Sequence, residues 1–147
     1  MPGLVPSEVV PRADGPMDSA FETAFVHAPI GMALVDMSDR LLRVNDALCR
    51  ITGYTTEQFS GRTFRDLSHP QDFDVDASEV TELIGGRMST YYVEKRFQHA
   101  RGHPVWVLLS VALVRDDEGR PLHRIAQVQD ISGRKAAEEA LEPSASK

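Results

Sequence analysis

Three stretches decide the fold: Ser89-Thr-Tyr-Tyr-Val-Glu-Lys-Arg-Phe-Gln-His99, Pro104-Val-Trp-Val-Leu-Leu-Ser-Val-Ala-Leu-Val-Arg115 and Pro121-Leu-His-Arg-Ile-Ala-Gln-Val-Gln-Asp-Ile131. Their period-two alternation and β-branched or aromatic content predict strands over 89–99, 104–115 and 121–131. The links between them, at Arg101-Gly102 and Asp116-Asp-Glu-Gly119, carry turn residues and make the three an antiparallel meander. Alternation places Val93, Phe97, Val107, Leu109, Val111, Ala126 and Val128 on one face. Tyr92, Glu94, Arg96, Trp106, Leu108, Ala112 and Ile125 fall on the other.

Upstream, Met32–Val35 and Leu41–Val44 predict two more strands, joined across Ser38-Asp39-Arg40. A capping-box pattern, Ser19-x-x-Glu22, opens a helix carrying Phe21 and Phe25, which Pro29 and Gly31 end. Short helices follow: one with Leu48 and Ile51 stopped by Gly53, a turn capped by Thr55-x-x-Gln58, and Phe64–Ser68 halted at His69-Pro70. Residues 72–84 predict the longest central helix, with Phe73, Val80, Leu83 and Ile84 inward. Asp72, Asp74, Asp76 and Glu79 complement the start of that helix. Arg134–Glu142 predicts a polar exit helix with Arg134–Glu138 and Lys135–Glu139 pairs. The class is α+β: a five-stranded antiparallel sheet with short helices over one face. Residues 1–17, with four of the nine prolines in the first 16, read as a disordered leader. The domain takes 18–132, its cap helix 18–28, and the exit helix and tail 133–147.

Composition narrows the function. With 16 basic and 22 acidic residues the net charge is −6, so no basic surplus favours nucleic acid. The longest apolar run, Val105 to Val114, is half a bilayer span, which predicts no membrane insertion and a cytoplasmic setting. One cysteine, Cys49, supports neither a disulfide framework nor a Cys-rich zinc site. No nucleophile elbow or phosphate loop is present, so no catalytic residue is assigned.

The order of these elements and the words they are written in resemble a PAS domain over about residues 20–141. The matching stretches are Ala28-Pro-Ile-Gly-Met-Ala-Leu-Val-Asp36, Val44-Asn-Asp-Ala47, His69-Pro-Gln-Asp72, Glu94-Lys-Arg96, Trp106-Val107 and Gln129-Asp-Ile-Ser-Gly-Arg-Lys-Ala-Ala-Glu138. The resemblance implies a sensor or dimerisation domain of a larger signalling protein, its output a diguanylate cyclase, histidine kinase or phosphatase. The signal would leave through Asp130, Ile131 and Ser132. It also implies a pocket between sheet and helices, here assigned to Leu48, Ile51, Phe64, Val93, Phe97, Val107, Leu109, Val111, Ala126 and Val128.

That lining suits an apolar small molecule such as a fatty acyl chain, or a side-chain-filled core with no ligand. In the flavin-binding branch a cysteine forms the photoadduct; Phe64 stands at that position, which excludes adduct chemistry. The flavin-gripping positions are Phe97, Val107 and Val128. Haem needs an axial ligand, for which His69 is the one candidate and a weak one; no other metal site is assigned. The opposite face, with Phe21, Phe25, Tyr92, Trp106, Leu108 and Ile125, needs a cover. The cap helix or a second copy supplies it, and the resemblance implies a homodimer.

Overall fold

The computed structural model describes residues 16–141, with residues 16–19 and Phe21 described by backbone alone. Residues 1–15 of the assigned leader and the tail 142–147 lie outside the described residues. Helix α1 (Pro16–His27) leads into a β1 (Gly31–Val35), β2 (Leu41–Val44) hairpin. Three short helices follow, α2 (Asp46–Thr52), α3 (Thr56–Phe59) and α4 (Phe64–Leu67), then a 3₁₀ turn at Pro70–Asp72 and α5 (Ala77–Ile84). The meander of β3 (Thr90–Gln98), β4 (Pro104–Arg115) and β5 (Pro121–Asp130) precedes α6 (Ser132–Leu141). The five strands form one sheet in the order β2-β1-β5-β4-β3, antiparallel throughout.

Local chemistry sets the boundaries. Asp36 Oδ1 accepts from the Ser38 and Arg40 amides, which shapes the first hairpin. Asn45 is the N-cap of α2 and is buried; its Oδ1 accepts from the Met32 and Leu48 amides, and its Nδ2 donates to the Phe25 and Ile30 carbonyls. One side chain thereby ties α1, β1 and α2 together. Gly53 ends α2 at φ 82°, and a Cβ there would lie 2.4 Å from the His99 ring. Gly31 is needed for close approach: a Cβ would sit 3.1 Å from Leu48 on α2. Thr55 and Thr63 both form reciprocal capping boxes, with Gln58 and Asp66 respectively.

The core lies between the inner sheet face and α2–α5, with Leu48, Phe59, Leu67, Leu83, Phe97, Val107 and Val128 fully buried. Strand β3 is a sheet edge. It is covered by a Ser68–Phe97 bridge, by His69 N donating to Arg96 O and by Arg96 N donating to Asp72 Oδ2. These contacts close the edge around Arg96 and Phe97 against a foreign strand.

The structure departs from the sequence reading in several places. Helix α1 starts at Pro16, ahead of the assigned leader boundary, so Ser19 lies inside it; Glu22 pairs with Arg43 of β2 instead of closing a capping box. The central helix covers Ala77–Ile84 and not 72–84, because Asp72 and Asp76 turn away to partners on β3. Ile84 is 38% exposed because it lines a cavity and is not packed in the core. Lys135 pairs with Glu94 rather than Glu139. His123 is buried, although its place near a turn predicts a solvated ring.

Candidate functional site

A cavity of about 420 Å³ opens between the inner sheet face, α4 and α5. Its volume falls in the range of small-molecule sites. One side is apolar: Phe64 and Phe73, Val80 and Ile84, Leu109 and Val111. The other is charged, with Asp39 from the first hairpin, Asp76 from the entry to α5, Tyr91 and Lys95 from β3, and Arg124 from β5. At the rim, Arg65 pairs with Asp74 at 3.1 Å and lies 4.5 Å from the Phe73 ring centroid, so α4 reaches across to the α5 entry.

Alternation explains the charged end. Tyr91 and Lys95 share the inward parity of Val93 and Phe97, and Arg124 pairs across the sheet with inward Val35. Tyr91 Oη donates to Asp76 Oδ2 at 2.7 Å, and Lys95 Nζ to Asp76 Oδ1 at 3.4 Å. Burial, with Asp76 alongside, pushes the Tyr91 phenol above its ordinary value, so it stays a donor. Arg124 Nη2 donates to Asp36 O at 3.0 Å and Asp39 Oδ1 at 3.4 Å. Burial holds the Asp39 carboxyl above its ordinary range although Arg124 pulls it down. Arg124 Nε is buried without a hydrogen-bond partner.

Of the ten residues assigned to a pocket, Phe64, Leu109 and Val111 line this cavity. Leu48, Phe97, Val107, Ala126 and Val128 are buried in the packed core, and Ile51 and Val93 are half-buried against it. The lining is thus not wholly apolar: Asp39, Asp76, Lys95 and Arg124 were missed. Lys95 in phase with Val93 and Phe97, and Arg124 two residues before Ala126, were the available signals. Phe64 stacks on Phe97 with centroids 5.9 Å apart. His69 Nδ1 accepts from Gln71 N at 3.1 Å. Among the described residues, no group of three or more His, Cys, Asp or Glu side chains is arranged to hold a metal ion.

On the opposite face, Trp106 is half-buried beneath Lys135 of α6, whose Nζ lies 4.4 Å from the ring centroid; Arg96 lies 5.4 Å away. Glu94 holds both Lys135 and Arg134, and the two bonds keep its carboxyl below the usual range. Ser132 Oγ accepts from Trp106 N, Ser132 N donates to Asp130 Oδ1, and Ile131 is buried. Asp130, Ile131 and Ser132 thus anchor the start of α6 on β4. Phe25 is buried at the other end of this face, where the Arg43 guanidinium lies 4.6 Å from its ring centroid. Leu108 and Ile125 are half-buried and Tyr92 is 67% exposed.

A sheet closed by short helices around a cavity, with a helix leaving its last strand, is an architecture that comparison with known proteins finds among domains of signalling proteins. The family model for the PAS domain matches residues 29–133, and the chain belongs to that family. It is 42% identical over 122 residues to a probable diguanylate cyclase, DgcE, of Escherichia coli strain K12, covering 83% of this chain and 11% of that protein. It is 25% identical over 124 residues to the sensor histidine kinase TmoS of Ectopseudomonas mendocina, covering 84% of this chain and 13% of that protein. The chain therefore spans about an eighth or less of these relatives. The PAS domain of a Colwellia psychrerythraea protein superposes with a TM-score of 0.73 at 20% identity, covering 80% of this chain and 98% of that one. An RNA-binding light-oxygen-voltage receptor superposes with a TM-score of 0.75 at 25% identity, covering 100% of this chain and 40% of that one. No helix among the described residues is long and apolar enough to cross a membrane.

Proposed function

We propose that this chain is the ligand-sensing module of a longer signalling protein and passes cavity occupancy to an output domain through α6. The observation that carries the reading is a pair of consecutive residues on β3. Lys95 faces the cavity and contacts Asp76, while Glu94 faces the other way and holds Arg134 and Lys135 of α6. A ligand that displaces Lys95 or Asp76 moves β3, and with it the anchor of the exit helix. It shifts the equilibrium only by its differential affinity for the two arrangements. Its likeness to a probable diguanylate cyclase and to a sensor histidine kinase supports an output domain of one of those two kinds. Phe64 at the adduct position, and a cavity lining that does not include His69, favour a ligand other than flavin or haem.

The outer face supports a homodimer in the same reading. Tyr92 stands exposed beside a shallow concavity of Ser110, Ala112 and Ile125, which a second copy covers. Sedimentation equilibrium is expected to show a dimer that Ile125→Asp dissociates. Native mass spectrometry of the gently purified chain tests the sensing reading. A mass excess matching a small molecule is expected. A bare mass would favour an assembly module with a filled core.

A further inference from the structure

The charged end of the cavity is rich in donors and short of acceptors. Lys95 and Arg124 side chains are 4% and 6% exposed, so water reaches little of either. Together they carry eight N–H donors by chemistry. The protein takes up few of them: Lys95 has one bond at 3.4 Å, and Arg124 has two, both through Nη2. Arg124 Nε has none. Of the acceptors nearby, Asp76 Oδ2 is occupied by Tyr91, and Asp39 Oδ2 accepts weakly from Arg65 N at 3.4 Å. A buried cation with idle donors is costly unless something supplies oxygens.

We infer that the cavity binds a small amphipathic carboxylate, its head on Arg124 and Lys95 and its tail along Phe73, Val80, Leu109 and Val111. The inference rests on the sensing reading above and adds the ligand's chemical class. A carboxylate matches the guanidinium fork and needs no further donor. The apolar wall across from it takes the chain. The raised affinity of buried Asp39 for a proton lessens the repulsion that an incoming carboxylate meets. Seated there, the head group competes with Asp76 for Lys95, the contact on which transmission through β3 depends.

Isothermal titration of the chain with octanoate, and separately with 1-octanol, tests this. Octanoate is expected to bind one to one and at least about tenfold tighter than octanol, the worth of a charge-assisted hydrogen bond. Val80→Phe, which fills the cavity from α5, is expected to abolish octanoate binding. Arg124→Met is expected to reduce octanoate to the level of octanol. The wild-type comparison of the two probes stands even if that variant fails to fold. Octanol binding as tightly as octanoate overturns the carboxylate and leaves the sensing reading in place. Octanoate binding that Val80→Phe leaves unchanged overturns the site. No heat from either probe at millimolar concentration overturns the inference and leaves the sensing reading to the native mass measurement.

Discussion

Tyr91 Oη lies 2.7 Å from Asp76 Oδ2, so the sheet's edge strand is tied to the entry of α5 by a buried phenol–carboxylate bond. The same carboxylate holds Lys95, and the three groups form the wall of the cavity nearest β3.

Tyr91→Phe removes the phenol and leaves Asp76 Oδ2 buried without that donor. The expected loss of stability in urea denaturation is about 1–3 kcal/mol. The paired variant Tyr91→Phe with Asp76→Asn is expected to lose less than the sum of the two single changes, because the residues share one network.

Asp72 makes a different anchor. It accepts from the Arg96 backbone and guanidinium, and the guanidinium bond holds its carboxyl below the ordinary 3.8. The folded chain then binds that proton less readily than the unfolded chain. The resulting stability is fully present above the ordinary value and is lost as pH falls below it toward the depressed one. Asp72→Asn is expected to lower stability at neutral pH and to flatten the acid limb of a stability–pH profile below about pH 4.

His123 runs through a higher window. Its ring is buried, its Nδ1 has no partner, and burial holds it below 6.5 while Asp36 pulls it up. As pH falls through 6.5 the unfolded chain takes up a proton that the folded chain resists, so stability drops. His123→Leu is expected to remove that drop between about pH 7.5 and 5.5, read by denaturation midpoints.

The strands were legible in the sequence to within two residues at either end, because period-two alternation and the turn residues at Gly102 and Gly119 act locally. The cap of α3 was legible for the same reason: Thr55 and Gln58 are three residues apart. The charged end of the cavity was not. Asp72 and Asp76 read as helix-start carboxylates, whereas their partners Arg96, Tyr91 and Lys95 lie 15 to 24 residues away. No local pattern encodes such pairs. Lys95 sat at an inward position in plain sight, but alternation alone does not say which inward residues face a void and which face packed side chains. The exit helix was similar: Arg134–Glu138 follows helical spacing, but Glu94 reaches Arg134 only through the fold.

The central claim is that cavity and exit helix are coupled through β3. Hydrogen–deuterium exchange of the α6 amides tests it directly, comparing the wild-type chain, the cavity-filling Val80→Phe variant, Glu94→Gln and the double variant that carries both changes. The account predicts that filling the cavity changes α6 protection in the wild-type background. It also predicts that Glu94→Gln speeds α6 exchange and makes it insensitive to filling. Identical α6 exchange in the wild-type and Val80→Phe chains would contradict the coupling.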